Sequence, residues 1–182
     1  MYMYKGNSQS GARILEFDRP WKCPIDPCKC CCFQQVIVRD QPSEKEIGVV
    51  IETFYCCVPT FNVHDAEGNQ KFSIHQHPGH CFGLFDGCCV NGCFGYCFGS
   101  CCIGSREPFD VYETKSGRTA GQIIKDWTGF FRATYEDADT FQIKWGETYT
   151  NNPNPDDTAL LIGATLLINQ IFFEGELEPA KG

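Results

Sequence analysis

Hydrophobic and polar residues alternate with a period of two in a series of short stretches along this chain, and one long apolar run near the C-terminal end departs from the pattern. Period-two alternation bounded by Gly, Pro, Asn and Asp is the signature of half-buried strands. Ile14 to Phe17 reads as the end of a strand, and Gln34 to Arg39 as a strand. Ile47 to Phe54 returns as its hairpin partner across the polar 40–46 turn. Pro59 to His64 and Lys71 to Gln76 flank the turn Asp-Ala-Glu-Gly-Asn. Phe109 to Thr114 and Gly121 to Trp127 flank Lys115-Ser116-Gly117. Phe130 to Tyr135 and Thr140 to Trp145 make the last hairpin, around Glu136 to Asp139. Cys23 to Cys32 reads as a Cys/Pro loop.

The exception is Thr158 to Glu174, TALLIGATLLINQIFFE, which carries no charge between its ends. Asp156, Asp157 and Thr158 supply N-cap candidates, and Asn154-Pro155 before them reads as a break. Leu160, Leu161, Ile162, Gly163, Ala164, Leu167, Ile168, Ile171 and Phe172 cover nearly the whole circumference of the predicted helix. A helix apolar all round belongs either in a protein core or in lipid. At 1.5 Å per residue such a helix spans about 24 Å, short of a ~30 Å hydrocarbon layer. Both readings, core helix and membrane helix, stand at this point.

An internal repeat organises the strands. Phe61-Asn62-Val63-His64-Asp65 with Gly68 resembles Phe109-Asp110-Val111-Tyr112-Glu113 with Gly117. Each is an alternating strand entering a glycine turn. Repeated hairpins followed by one apolar helix predict a mostly β fold: an antiparallel β-barrel of hairpins wrapped around the hydrophobic C-terminal helix. The 182 residues fit one domain. The predicted division is a flexible N-terminus at 1–12, a barrel domain at 13–174 and a tail at 175–182.

Composition changes the picture in two ways. A net charge of −8 argues against a general nucleic-acid partner. Fourteen cysteines approach the ~8–10% that marks a disulfide scaffold. Yet MYMYKGNSQSG has no apolar core or cleavage pattern, which predicts a chain that is not secreted. Many cysteines are neighbours, as in Cys30-Cys31-Cys32, Cys56-Cys57, Cys88-Cys89 and Cys101-Cys102. Neighbouring thiols suit acylation or metal binding better than stapling distant loops. No phosphate-cradling Gly-rich loop is present, so no ATP-driven motor is visible.

Several stretches in this order resemble the phospholipid scramblase family, of the tubby-C-terminal-like superfamily. They are Arg19-Pro20 before the Cys cluster, Pro59-Thr60-Phe61, Ile124-Lys125-Asp126-Trp127-Thr128-Gly129, Asp137-Ala138-Asp139 with Phe141, Leu161-Ile162-Gly163-Ala164, and Phe172-Phe173-Glu174. The resemblance runs from about Arg13 to Glu174. It implies a barrel of about twelve strands around a C-terminal helix. The family's proline-rich arm and first strands have no counterpart here, so the barrel is expected to be incomplete at its N-terminal side.

Candidate chemistry falls in three places. Cys28, Cys30, Cys31 and Cys32, with Cys23 nearby, match the family's Cys-rich loop, which implies S-palmitoylation; Cys28-x-x-Cys31 also has zinc-ligand spacing, without a second matched pair. His75, His77, His80 and Cys81 put four donors close together and open a zinc reading. Cys89, Cys93, Cys97 and Cys101 continue at a constant spacing, so the tract at 78–102 also reads as a Gly/Cys/Phe-rich insertion. The third is an EF-hand-like Ca²⁺ segment implied by the resemblance. Asp137 takes its first position, Asp139 the third, Phe141 the fifth and Ile143 the seventh, with Trp145 at the ninth and Thr148 at the twelfth. Thr148 replaces the closing carboxylate, Gln142 replaces the turn glycine, and Glu147 lies one residue off. Phe141 and Ile143 offer only backbone carbonyls, which predicts weak binding. A hairpin turn favouring Asp explains the same residues without a metal.

No motif singles out a nucleophile from the many Cys and His residues, so the chain reads as a non-enzyme. The resemblance implies ATP-independent, Ca²⁺-dependent, bidirectional movement of phospholipids across a membrane. The partners are then a phospholipid membrane, a second copy of the chain and other proteins, at the cytoplasmic face of the plasma membrane. A lipid-anchored tubby-like interaction module without transport, and a Cys/His metal-binding module, are the alternatives.

Overall fold

A computed structural model describes residues 1–5, 11–20, 33–53, 59–76, 107–126, 140–147, 149 and 153–172. The strands are β1 (Tyr2–Tyr4), β2 (Arg13–Asp18), β3 (Gln35–Asp40), β4 (Glu46–Glu52), β5 (Thr60–Asp65), β6 (Gln70–Gln76), β7 (Glu107–Glu113), β8 (Thr119–Asp126) and β9 (Thr140–Trp145). Among the described residues one helix, α1, runs over Pro155–Phe172. The strands form one sheet in sequence order, with β1 and β9 at its two ends. Among the described residues the expected antiparallel hairpins are therefore present, and no pairing of β1 with β9 closes the sheet. The predicted strand at Phe130 to Tyr135 lies outside the described residues.

The sheet and helix divide into two compact units. The first is drawn from Met1–Glu52, Asn62–Lys71 and Asn154–Gly182. In it, β2 to β4 are antiparallel, with Phe17 opposite Val38 and Val36 opposite Val50. Alternation puts Phe17, Val36, Val38 and Val50 on one buried face. Residues 1–12 were expected to be flexible, since they hold no long alternation. Tyr2–Tyr4 nevertheless adds to the sheet as β1, antiparallel to β2. Arg13 stacks over the Tyr2 ring at 4.3 Å, and the Tyr2 hydroxyl donates to Glu16.

Helix α1 packs on β3 and β4. Leu161, Ala164, Leu167 and Ile168 are fully buried, and Leu160 nearly so. The cap differs from the sequence expectation. Asn154 caps the helix: its side-chain oxygen accepts the Asp156 amide at 3.1 Å and its carbonyl accepts the Thr158 amide at 3.0 Å. Pro155 follows at the first helical position, where a missing N–H costs nothing. The residues that read as a break are thus the start signal, and Asp156 and Asp157 fill the acidic first turn. Asp157 is buried and paired with Lys71 of β6. Thr165 turns its hydroxyl back to the Leu161 carbonyl at 2.8 Å, so its polar atom needs no partner on the sheet.

The second unit is drawn from Thr53–Phe61 and Phe72–Pro153. Phe72, Ile74, Phe109, Val111 and Ile123 are buried along alternate positions of β6, β7 and β8. Phe72 meets the edges of Trp145 and Tyr149, which stack on each other with centroids 5.5 Å apart.

The repeat seen in the sequence is real in three dimensions. Asp65 and Glu113 stand at equivalent turns. Asp65 receives the Asn69 amide at 2.8 Å, and Glu113 receives the Ser116 hydroxyl. Gly68 and Gly117 close these turns with φ of +84° and +66°, a backbone conformation that L side chains rarely adopt.

At Gly163 the helix packs tightly against the sheet. A Cβ there would stand 2.7 Å from a Val38 methyl and 3.6 Å from the Phe17 ring. Val38 is fully buried and stiff about χ1, so it cannot swing clear. Gly163→Ala should therefore destabilise the protein by about 1–3 kcal/mol, despite alanine's better helix propensity. In denaturant unfolding, Val38→Ala should make Gly163→Ala less costly than it is alone; strictly additive losses would show that the two groups do not meet.

Candidate functional site

The helix is the first candidate. Leu160, Leu161, Gly163, Ala164, Leu167 and Ile168 are buried, and Ile162, Ile171 and Phe172 are half-buried. Its 18 residues measure about 27 Å. No helix among the described residues is long and apolar enough to cross a membrane.

The Ca²⁺ candidates are distributed differently. Asp137 and Asp139 lie outside the described residues. Phe141 and Ile143 are half-buried positions of β9, and Glu147 is exposed in the turn after it. β9 is a regular strand: Ile143 pairs with Ile123, and Phe141 with Lys125. Along a strand, positions two apart are separated by about 6.6 Å, whereas Ca²⁺ gathers its oxygens at roughly 2.3–2.6 Å. The backbone carbonyls of Phe141 and Ile143, as placed in β9, therefore do not meet at one ion. No group of three or more His, Cys, Asp or Glu among the described residues is placed to hold a metal. Cys28, Cys30, Cys31 and Cys32, and the tract from His77 to Cys102, lie outside the described residues.

One constellation escaped the sequence reading. His75 on β6 is opposite Asp110 on β7, Asp110 is opposite Gln122 on β8, and Gln122 is opposite Lys144 on β9. Because these residues occupy one register row, their side chains share one face of the sheet, the face away from Phe109 and Ile123. The His75 ring sits between two hydroxyls, with Nε2 2.7 Å from Ser73 Oγ and Nδ1 3.2 Å from Thr60 Oγ1. Asp110 is buried and accepts the Gln122 side-chain amide at 2.7 Å. Tyr112 lies edge-on to His75, with centroids 5.7 Å apart.

Burial pushes the His75 pKa down, and the negative charge of Asp110 opposes this without overcoming it. Burial, the Asp110 charge and a hydrogen bond to Asp110 push the Tyr112 phenol up. His75 is thus a neutral imidazole at pH 7, clasped at both nitrogens. The hydroxyl–imidazole contact has the length of a nucleophile pair. The carboxylate, however, is engaged by Gln122 and Tyr112, and the second ring nitrogen meets a threonine. This arrangement braces the sheet face, and among the described residues the His75 ring nitrogens meet hydroxyls and not a carboxylate. The signal available in the sequence was the repeat itself, which aligns Asp110 with Asn62, but register is needed to bring His75 opposite it.

Comparison with known proteins decides the family. The model of the family described as Scramblase matches residues 7–94 and 78–175, which together span most of the sequence. The chain belongs to the scramblase family. The two matches overlap at 78–94, inside the Gly/Cys/Phe-rich tract. Phospholipid scramblase 1 of Homo sapiens is 29% identical over 174 residues, covering 94% of this chain and 46% of that protein. Phospholipid scramblase 2 of Homo sapiens is 26% identical over 164 residues, covering 90% of this chain and 46% of that protein. Phospholipid scramblase family member 5 of Homo sapiens is 26% identical, covering 92% and 52% respectively. The chain spans about half the length of these curated relatives. No solved structure matches the chain.

The His75 environment gives a pH prediction. A depressed folded-state pKa means that the unfolded chain takes up the proton first, below the ordinary value of 6.5. Stability from this site is complete above that pH and falls as pH drops below it. Unfolding measured between about pH 7.5 and 5.5 should show this loss, and His75→Gln should flatten it. An unchanged slope in the variant would place the proton elsewhere.

Proposed function

We propose that this chain is a scramblase-like protein that associates with phospholipid membranes and moves phospholipids between leaflets in both directions. The movement breaks no bond and runs without ATP. The observation that carries this reading is the family match across residues 7–175. Palmitate on Cys28, Cys30, Cys31 and Cys32 holds the protein to the cytoplasmic face of the plasma membrane. Each buried methylene of an acyl chain contributes about 0.8 kcal/mol, so two or more chains suffice for stable anchoring. Ca²⁺ dependence rests on Asp137 and Asp139. The one helix among the described residues encloses no path for a headgroup, and transport by a homo-oligomer follows.

The packing of α1 on β3 and β4 favours a second reading. A lipid-anchored domain that keeps its helix on the sheet would bind lipids or proteins and transport nothing. Zinc in the Cys/His tract 75–102 would make it a metal module, which a stoichiometric metal assay on the purified protein decides.

Reconstitution separates the first two readings. Acylated protein in liposomes containing labelled phospholipid should accelerate transbilayer movement when Ca²⁺ is added, and Asp137→Asn with Asp139→Asn should remove the acceleration. Membrane binding without any movement, at every protein density and with Ca²⁺ present, would leave the interaction module standing. Replacing the four cysteines by serine should shift the protein from the membrane to the soluble fraction of cells; unchanged partition would rule out acylation as the anchor.

A further inference from the structure

Arg19-Pro20 stood out in the sequence, and neither the sheet nor the proposed anchor uses Arg19. It follows β2 on the side of the strand that carries Phe17, two positions earlier, and so reaches toward α1. A cavity of about 240 Å³ opens there, within the first unit. Phe17, Val36 and Leu166 contribute apolar groups to its walls, Asp18, Arg19 and Gln170 contribute polar ones, and Met1, whose amino group donates to the Phe17 carbonyl at 2.8 Å, completes the lining.

The guanidinium is exposed but held in place. Its Nε and Nη2 donate to the Gln34 side-chain oxygen at 3.3 and 2.9 Å, and its Nη1 donates to the Gln170 side-chain oxygen at 3.1 Å. Gln34 is itself fixed, since it is buried and its backbone amide donates to the buried Glu52 carboxylate at 3.1 Å. Both partners of Arg19 are neutral amides. An arginine has five N–H donors, and three are used here, which leaves one on each terminal nitrogen. The Asp18 carboxylate, also in the cavity wall, accepts from Arg39 at 3.2 Å, a cation it shares with Glu16 at 3.9 Å. The cavity mouth therefore presents a guanidinium oriented in advance, with no carboxylate bonded to it among the described residues.

We propose that this cavity is a binding site for a phosphate-type oxyanion, the headgroup of a phospholipid, with Arg19 as the ligand-contacting residue. Charge-assisted bonds from a guanidinium are the strong ones for such oxygens. The cavity is smaller than the roughly 300–1,000 Å³ pockets that enclose drug-sized ligands, so it takes a headgroup and the first carbons of its chains. The choice of a lipid phosphate over another anion rests on the scramblase reading; the site itself does not. Because Leu166 and Gln170 belong to α1 and Phe17 and Val36 to the sheet, a bound headgroup bridges the two.

The test is titration of the full chain, by calorimetry or phosphorus NMR, with dihexanoyl phosphatidate below its micelle concentration, glycerol 3-phosphate and inorganic phosphate. Saturable binding is expected, tightest for the phosphatidate, whose chains reach the apolar walls. Arg19→Gln should weaken it about tenfold or more. Equal binding of all three anions, lost in the variant, keeps the oxyanion site and makes free phosphate its source. Should Arg19→Gln fail to fold, Gln170→Glu serves, because its carboxylate closes on the guanidinium and should cost binding to a similar extent. No saturable binding, or binding unchanged in a folded variant, overturns the proposal. Binding intact with no lipid movement in liposomes defeats the scrambling reading alone, and movement without Arg19-dependent binding defeats the site alone.

Discussion

The seat of α1 at Gly163 is the constraint on which the first unit depends. A helix and a sheet approach closely only where one of them gives up side-chain volume, and here the helix does so. Gly163 admits the Val38 methyl and the Phe17 ring. That close approach lets Leu160, Leu161, Ala164, Leu167 and Ile168 bury fully. The ends are held by different means. Asn154 and Pro155 fix where the helix starts, and the Lys71–Asp157 pair ties its first turn to β6. Removing one partner of such a partly buried pair leaves a charge without compensation, which costs more than the pair itself contributes. An apolar helix with this much sheet contact stays on the protein unless a bilayer offers a comparable gain.

The sheet applies one rule to both units. Period-two alternation sends Phe and Val to the buried face and leaves a register row for polar groups on the other. In the second unit that row became His75, Asp110 and Gln122, a set satisfied by hydroxyls and amides. Burial outweighs the carboxylate in setting the histidine's charge, so this row works as bracing at neutral pH and as a weak point in acid. The same alternation explains β9. Phe141, Ile143 and Trp145 are half-buried while Thr140, Gln142 and Lys144 are exposed, so this stretch behaves as a strand. An extended strand spreads its carbonyls, and any cation site must draw on the acidic residues that precede it.

Much of this architecture was legible in the sequence. The hairpins of β3 to β8 follow from alternation and turn chemistry, and the repeat predicted two equivalent glycine turns that the structure contains. The helix was legible from its lack of charge, but its start was not. Asn-Pro reads as a break because proline ends helices far more visibly than it begins them, and the cap is a matter of which side-chain oxygen reaches which amide. β1 was missed because three residues carry too little pattern, and its place comes from contacts with Arg13, Glu16 and Phe17. The His75 row and the Arg19 cavity were illegible for the same reason. Each is assembled from residues far apart in sequence, and only strand register or helix placement brings them together. The Cys-rich candidates and the acidic loop at 136–139 lie outside the described residues, and the resemblance alone speaks for them.

The central claim is that α1 is a core element of this scramblase-family domain, seated on β3 and β4. Native-state hydrogen exchange on the lipid-free protein tests it most directly. The amides of Leu160 to Ile168 and those of Val36, Val38 and Val50 should exchange only through the same cooperative opening, with a common dependence on denaturant. Helix amides that exchange rapidly while the strand amides stay protected would show that the helix is not held on the sheet, and the account would be wrong.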